Sequence, residues 1–117
     1  MTTNLKVIND FMQGISNKTQ HLFSERGFNN TLILYSYGYH FPLCIKLNCN
    51  VFLINKNGYS KTTAKHKSLL CKGLGYNNFK ELEKNHRSNI KLYSTDELKN
   101  IIRLDISTFN EIVEAKI

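Results

Sequence analysis

The sequence contains no tryptophan, one proline, and no acidic residue between Glu25 and Glu81. That interval holds eight basic side chains, whereas the eight basic and nine acidic side chains elsewhere nearly cancel. Metal-dependent nucleases need clustered carboxylates, so the interval is unsuited to such a centre. The local positive charge favours an anionic partner, either nucleic acid, a nucleoprotein or an acidic protein surface. A coding bias toward Lys and Asn would also raise the charge, and that explanation remains open.

Long apolar runs are also missing, since no stretch approaches the roughly 20 residues that a membrane helix needs. The start of the chain, MTTNLKVIND, lacks the charged beginning and apolar core of a signal peptide. We therefore expect a soluble intracellular protein that makes no membrane contact.

Cysteine is scarce, and the three cysteines form no Cys-x-x-Cys pair. An odd number without paired spacing indicates a reducing compartment rather than a disulfide framework. A zinc site would have to use side chains whose spacing is not that of a zinc ribbon, namely Cys44, Cys49, His66, Cys71 and His86. We predict buried free thiols, no metal and no cofactor.

The 117 residues are long enough, at 41% hydrophobic content, to build one core. We predict a single α+β domain over 1–117, with a small antiparallel sheet of three to four short strands packed by three to five helices. Residues 30–75 are expected to form a basic β-β-β-α core, and residues 76–117 a helical C-terminal part.

Alternating residues predict the first strand from residue 31 onward. Leu32, Leu34 and Ser36 fall on one face, and Ile33, Tyr35 and Tyr37 fall on the other. Gly38 and Pro42 interrupt this alternation and end the strand. Further strands are predicted at 43–47 and 51–54, the second being apolar throughout and so covered on both faces.

The other predicted elements come from capping signals and apolar spacing. The first is a helix of about three turns within 4–24, followed by a looser segment. A helix over 61–72 with Ser60 as N-cap, a short helix over 78–86 and a strand over 90–93 come next. The last two are a helix over 95–103 that begins at the capping box Ser94–Glu97, and an amphipathic segment at Ile106, Phe109 and Val113.

The helix over 61–72 separates lysines from apolar residues. One stripe contains Lys61, Lys65, Ser68 and Lys72, and the opposite side contains Thr62, His66, Leu69, Leu70, Gly73 and Leu74. A lysine row positions a phosphate backbone without reading its sequence, and Lys46, Lys56 and Lys67 would flank it. A solvated surface face is the alternative. Such faces usually mix Glu with Lys, however, and this face contains no Glu.

Three alternating tyrosines, Tyr35, Tyr37 and Tyr39, precede His40 and Phe41. On one strand face they would form a stacking platform for single-stranded nucleic acid. Core packing explains tyrosines in a strand equally well. His66, at the middle of the apolar side of its helix, is predicted to be a buried, hydrogen-bonded imidazole rather than a general base.

Four short motifs occur together, and they are Ser36-Tyr37, Pro42-Leu43, Val51-Phe52-Leu53 and Tyr59-Ser60-Lys61-Thr62-Thr63-Ala64-Lys65-His66. They resemble a family of small phage and prophage proteins of unknown function, which read SY-x-T-P-I-A, then V-x-L, then Y-S-x-T-T-S-K-H. Here Gly38-Tyr39-His40-Phe41 replaces a shorter link, and Ala64 stands where serine is common. The resemblance implies a viral origin and the cytoplasm of a bacterial host, and it assigns no catalytic residue.

We therefore expect a non-enzymatic protein that binds RNA or DNA, or a nucleoprotein such as a CRISPR effector with its guide RNA, and so modulates host or defence machinery. One alternative is an inhibitor that docks its basic face on an acidic protein groove without touching nucleic acid. The other is a small metal-independent nuclease that uses His40, His66 or His86 with Tyr37 or Tyr59.

Overall fold

The computed structural model of the protein describes residues 3–27, 31–47 and 50–103, in which one helix and four consecutive strands are followed by two helices, a fifth strand and a last helix. In chain order they are α1 (Asn4–Met12), β1 (Leu22–Arg26), β2 (Leu32–Ser36), β3 (Pro42–Lys46), β4 (Phe52–Asn55), α2 (Lys61–Gly73), α3 (Phe79–Asn85), β5 (Ile90–Tyr93) and α4 (Thr95–Arg103). The predicted α+β class in one domain is confirmed. Cys49 and the segment predicted around 106–113 lie outside the described residues.

The five strands form one sheet in the order β1-β2-β3-β4-β5. Neighbours from β1 to β4 are antiparallel, whereas β5 pairs with β4 in parallel. The parallel pair is possible because α2 and α3 return the chain to the end of the sheet at which β4 begins. The prediction of an antiparallel sheet with three to four strands was therefore wrong, since β1 was missed and β5 makes the sheet mixed.

β1 lies in the segment that was predicted to be looser chain after the first helix. Its residues carry little alternation in hydrophobicity, because the buried Ser24 stands between Phe23 and Glu25. Ser24 is satisfied by Asn17, whose N–H donates to the hydroxyl at 3.1 Å and whose carbonyl accepts the Ser24 N–H at 2.9 Å. Pairing with β2, in which Leu22 faces Ser36, decides this strand and overrides a weak local pattern.

Both faces of the sheet are covered. On one face Leu32 and Leu34 of β2 pack in the core that α1, α2 and α3 share. On the other face Ile33 and Tyr35 pack against Leu98 and Ile101 of α4. The alternation predicted for β2 is therefore confirmed up to Ser36, and β4 is buried along its whole length as predicted.

The predicted caps start two of the helices. The Ser60 hydroxyl accepts the Thr63 N–H at 3.1 Å, and α2 begins at the next residue. Ser94 and Glu97 form the reciprocal bonds of a capping box, at 3.2 Å and 3.0 Å, at the start of α4. Among the helices of the described ranges, none has the length and apolar character to cross a membrane.

Candidate nucleic-acid interface

The outer side of α2 carries three of the predicted lysines. Lys61, Lys65 and Lys72, which we call the lysine row, are exposed, and Ser68 between them is partly exposed. The single ion pair found among the described residues joins Lys6 to Asp10 within α1. No described carboxylate therefore neutralises the lysine row, and an external anion can do so.

Lys67 was predicted to flank this row, but it lies inside the protein. It is 7% exposed, its ammonium donates to the Asn57 carbonyl at 2.8 Å, and the ammonium lies 4.2 Å from the centre of the Phe79 ring. Burial lowers the pKa of Lys67, and Cys71 and Glu83 act weakly in the opposite direction. This part of the prediction was wrong because α2 is turned further than its apolar residues suggested, burying Thr63, His66, Lys67, Leu70 and Cys71.

The two remaining lysines are not part of the lysine row. Lys56 is exposed just after β4, and it borders a depression on the Lys67 side of α2. Lys46 is half-buried at the end of β3, where its ammonium lies near Gly14 beyond the end of α1. The structure thus places the six predicted lysines in four different surroundings.

The predicted tyrosine platform is divided between the two faces of the sheet. Tyr35 is 6% exposed, and its ring centroid lies 5.2 Å from Phe23 and 5.0 Å from Tyr39. We call these three residues the Tyr35 cluster, and its core packs on the α4 side. The Tyr39 hydroxyl donates to the Glu25 carboxylate, with 2.9 Å to Oε2. Tyr35 cannot stack on a base, because its ring is already buried.

Tyr37 lies on the opposite side of the sheet, beside α2. Its ring centroid lies 4.8 Å from His21, 6.4 Å from Tyr59 and 6.3 Å from His66. Tyr59 continues the contact to His40, whose Nε2 is 3.0 Å from the Tyr59 hydroxyl. We call the four exposed residues His21, Tyr37, His40 and Tyr59 the aromatic patch.

The backbone of Tyr37 explains why its side chain leaves the strand pattern. Its φ of 70° lies in the left-handed region, which a bulky side chain rarely adopts. The Tyr37 N–H donates to the His21 carbonyl at 2.8 Å, and Gly38 follows with a φ of 144°. This turn swings the ring to the Ser36 side of the sheet. Residues held in such conformations occur often at functional sites.

His66 lies beneath the aromatic patch, and the prediction that it is buried is confirmed. It is 2% exposed, and its Nδ1 lies 2.7 Å from the Ser36 hydroxyl, which is 3.0 Å from the Thr63 hydroxyl. Burial lowers the pKa of His66, and His21 lowers it further. This arrangement fits a structural imidazole that joins α2 to the end of β2.

A shallow depression between α1 and α2 lies beside the lysine row. Its volume is about 350 Å³, and it is lined by Asn4, Thr62, Lys65, His66, Ser68, Leu69 and Lys72. Asn4 accepts the Thr19 hydroxyl at 2.7 Å, which ties the start of α1 to the turn that precedes His21. Tyr59 stands two residues before Lys61, so the aromatic patch adjoins the N-terminal end of the lysine row.

The positions of the His and Cys side chains bear on metal binding and catalysis. No three His, Cys, Asp or Glu side chains are grouped to hold a metal ion anywhere in the described part of the chain. Cys44 and Cys71 are buried free thiols, as predicted, and burial raises the pKa of Cys71 to about 11. His86 directs its Nδ1 toward the Leu82 carbonyl at 3.1 Å, away from the aromatic patch.

No local pattern pointed to His21, because the strand that follows it was not predicted. Tyr59 was named from the sequence only for the alternative nuclease, and its place directly before the N-cap of the lysine-bearing helix could also have linked it to the lysine row. The fold and surface define a small α+β domain with one basic and aromatic face. Comparison with protein-family models, with curated proteins and with solved structures gives no match.

Proposed function

We propose that the protein is a non-enzymatic binder of nucleic acid, either free or within a nucleoprotein, and that the lysine row contacts the phosphates. The observation that carries this proposal is the exposed row of Lys61, Lys65 and Lys72 on one helix face, which no carboxylate of the described residues neutralises. Lysines spaced along a helix can follow a phosphate backbone and gain affinity by releasing its counterions.

The position of the row supports the proposal. α2 is anchored by residues on its inner side such as Leu70 and Cys71, so the outer lysines project from a fixed helix. A fixed charge array loses less conformational entropy on binding than a flexible basic tail does. Lys67 is excluded from this role because its ammonium is already buried and bound to Asn57.

The resemblance of residues 59–66 to small phage and prophage proteins supplies a setting for the proposal. In that setting the nucleic acid belongs to the bacterial host or to a defence nucleoprotein, such as a CRISPR effector with its guide RNA. The protein then acts by occupying a nucleic-acid surface and thereby inhibits the host machinery. This part depends on the motif alone.

Binding of labelled RNA and DNA across a salt series tests the proposal. Affinity should fall steeply between low and physiological salt. In the double variant Lys61→Glu, Lys65→Glu the slope of log affinity against log salt should become shallower by about two, or one per lost phosphate contact. The matched control is Lys84→Glu, Lys99→Glu, which changes the net charge equally at exposed positions on α3 and α4.

Equal losses in the two double variants would mean that net charge alone governs binding, and the assignment of the lysine row would fail. No salt-dependent binding of any nucleic acid would overturn the proposal itself. A host protein captured from nuclease-treated lysate, and lost in Lys61→Glu, Lys65→Glu, would in that case favour docking on an acidic protein groove.

A further inference from the structure

We infer that the aromatic patch stacks on unpaired bases, so that the protein prefers single-stranded nucleic acid to a duplex. This inference rests on the proposed function and specifies the form of its ligand.

The rings of the patch are available to a ligand. Tyr37 is 39% exposed and Tyr59 is 58% exposed, and His21 and His40 beside them are also exposed. Aromatic rings bind any base through its flat face. In a duplex the base faces are covered by their neighbours, so this contact is open only to an unpaired strand.

The rings are also held in position before any ligand arrives. Tyr59 packs on the buried Phe41, with 5.2 Å between ring centroids, and its hydroxyl is bonded to His40. Tyr37 is fixed by its backbone bond to His21 and by the contact of the two rings. Tyr37 and Tyr59 are 6.4 Å apart and tilted by 55°, so they present two separate ring faces. Because little side-chain freedom remains, little entropy is lost when a base stacks.

The backbone at Tyr37 is a second, independent observation. A fold selected for stability alone would favour glycine or asparagine at a φ of 70°, since both tolerate the left-handed region. The ring of Tyr37 is not deeply buried, so its packing does not offset the strain of this backbone conformation. The strained turn does place the ring on the surface beside α2, which is what stacking requires.

Charge complementarity identifies the occupant as a polyanion with flat groups. Tyr59 stands two residues before Lys61, and the Tyr37 ring lies 6.3 Å from His66 on the same helix, so the aromatic patch adjoins the start of the lysine row. Each contact described for the four patch residues is to another ring or a backbone group, and none is to a carboxylate of the described chain. A single strand offers phosphates to the lysine row and base faces to the patch together.

The test compares a short single strand with a duplex of equal length, by fluorescence anisotropy at one salt concentration. The variants are Tyr37→Asn, which accepts the left-handed backbone, and Tyr59→Leu, which keeps an apolar cover on Phe41. Each should weaken single-strand binding by about fivefold to a hundredfold and leave duplex binding unchanged. The control Tyr39→Leu removes an exposed ring from the Tyr35 cluster and should change neither.

Tyrosine emission gives a second readout, since the chain contains no tryptophan. Single-strand binding should quench it in the parent protein, and less so in Tyr37→Asn, Tyr59→Leu. Equal affinity for duplex and single strand, or equal losses for both in the variants, would overturn the inference while leaving the proposed function intact. If the protein bound neither the single strand nor the duplex, both the inference and the proposed function would be wrong. Loss of a captured host protein in the variants, without nucleic-acid binding, would reassign the patch to protein contact.

Discussion

The Tyr35 cluster and the aromatic patch contain tyrosines only two residues apart in the chain, Tyr35 and Tyr37, yet their surroundings are opposite. Tyr35 is buried on the α4 side, with Glu25 held by the neighbouring Tyr39 hydroxyl. Tyr37 is exposed on the α2 side, and α2 carries the lysine row, which no carboxylate within the described ranges neutralises. A carboxylate beside the first group repels phosphate, whereas the lysines beside the second attract it. Tyrosines two residues apart therefore serve stability in one case and, as we propose, binding in the other.

The largest difference is expected in stability. Tyr35→Ala should lower the free energy of unfolding by about 3 kcal/mol or more, because it leaves a cavity between Phe23 and α4. Tyr59→Ala should cost less than about 1 kcal/mol, since its ring is largely exposed. Urea unfolding of both variants measures this difference. Similar losses would show that the aromatic patch is a structural element as much as the Tyr35 cluster is.

The two sides should also respond to pH in opposite directions. Burial, and then His21, lowers the pKa of His66 below the ordinary value of 6.5, so the unfolded chain takes up this proton first and stability falls as pH drops below 6.5. Burial, and then the charge of Glu25, raises the pKa of Tyr35 from 10.0 to about 12, so stability is lost as pH rises from 10 toward 12.

Matched variants separate these two effects in urea unfolding at several pH values. His66→Gln should flatten the acid dependence and leave the alkaline one unchanged. Tyr35→Phe should reduce only the alkaline dependence, and the remainder belongs to the buried Cys44 and Cys71 thiols, whose pKa burial also raises. If the stability of His66→Gln still fell at acid pH, another group would be responsible, and the predicted contrast in pH response between the two sides would be wrong.

The smallest expected effect concerns the carboxylate at the Tyr35 cluster. Glu25→Gln should raise nucleic-acid affinity by less than about twofold at low salt and leave it unchanged at physiological salt, because exposed charges beyond about 10 Å are screened. Anisotropy titrations at both salt concentrations measure this. A large rise would mean that bound nucleic acid passes close to Glu25, and that both aromatic groups face the ligand.

Much of the fold could be predicted because local signals were strong. The N-cap at Ser60 and the capping box at Ser94 determine where α2 and α4 begin, since they satisfy backbone N–H groups within one turn. The alternation of β2 predicted which residues face each side of the sheet. β1 was missed because its polar Ser24 and Glu25 hide the pattern, and only pairing with β2 reveals it.

The candidate site was predictable only in part. The spacing of Lys61, Lys65 and Lys72 requires one helix face, so the lysine row follows from periodicity. The burial of Lys67 does not, because the rotation of α2 is set by packing against α1, α3 and the sheet. The aromatic patch joins residues from before β1, after β2 and before α2, and no local pattern connects positions that far apart.

The sequence by itself determined the acid-free segment, the lysine row and the caps, because these depend on composition and on contacts within one or two turns. Only the tertiary structure decided which rings are exposed. The left-handed backbone at Tyr37 depends on the bond to His21 across the β1–β2 pair, and that turn divides the tyrosines between the two faces of the sheet. Such a conformation is stable only where distant residues enforce it.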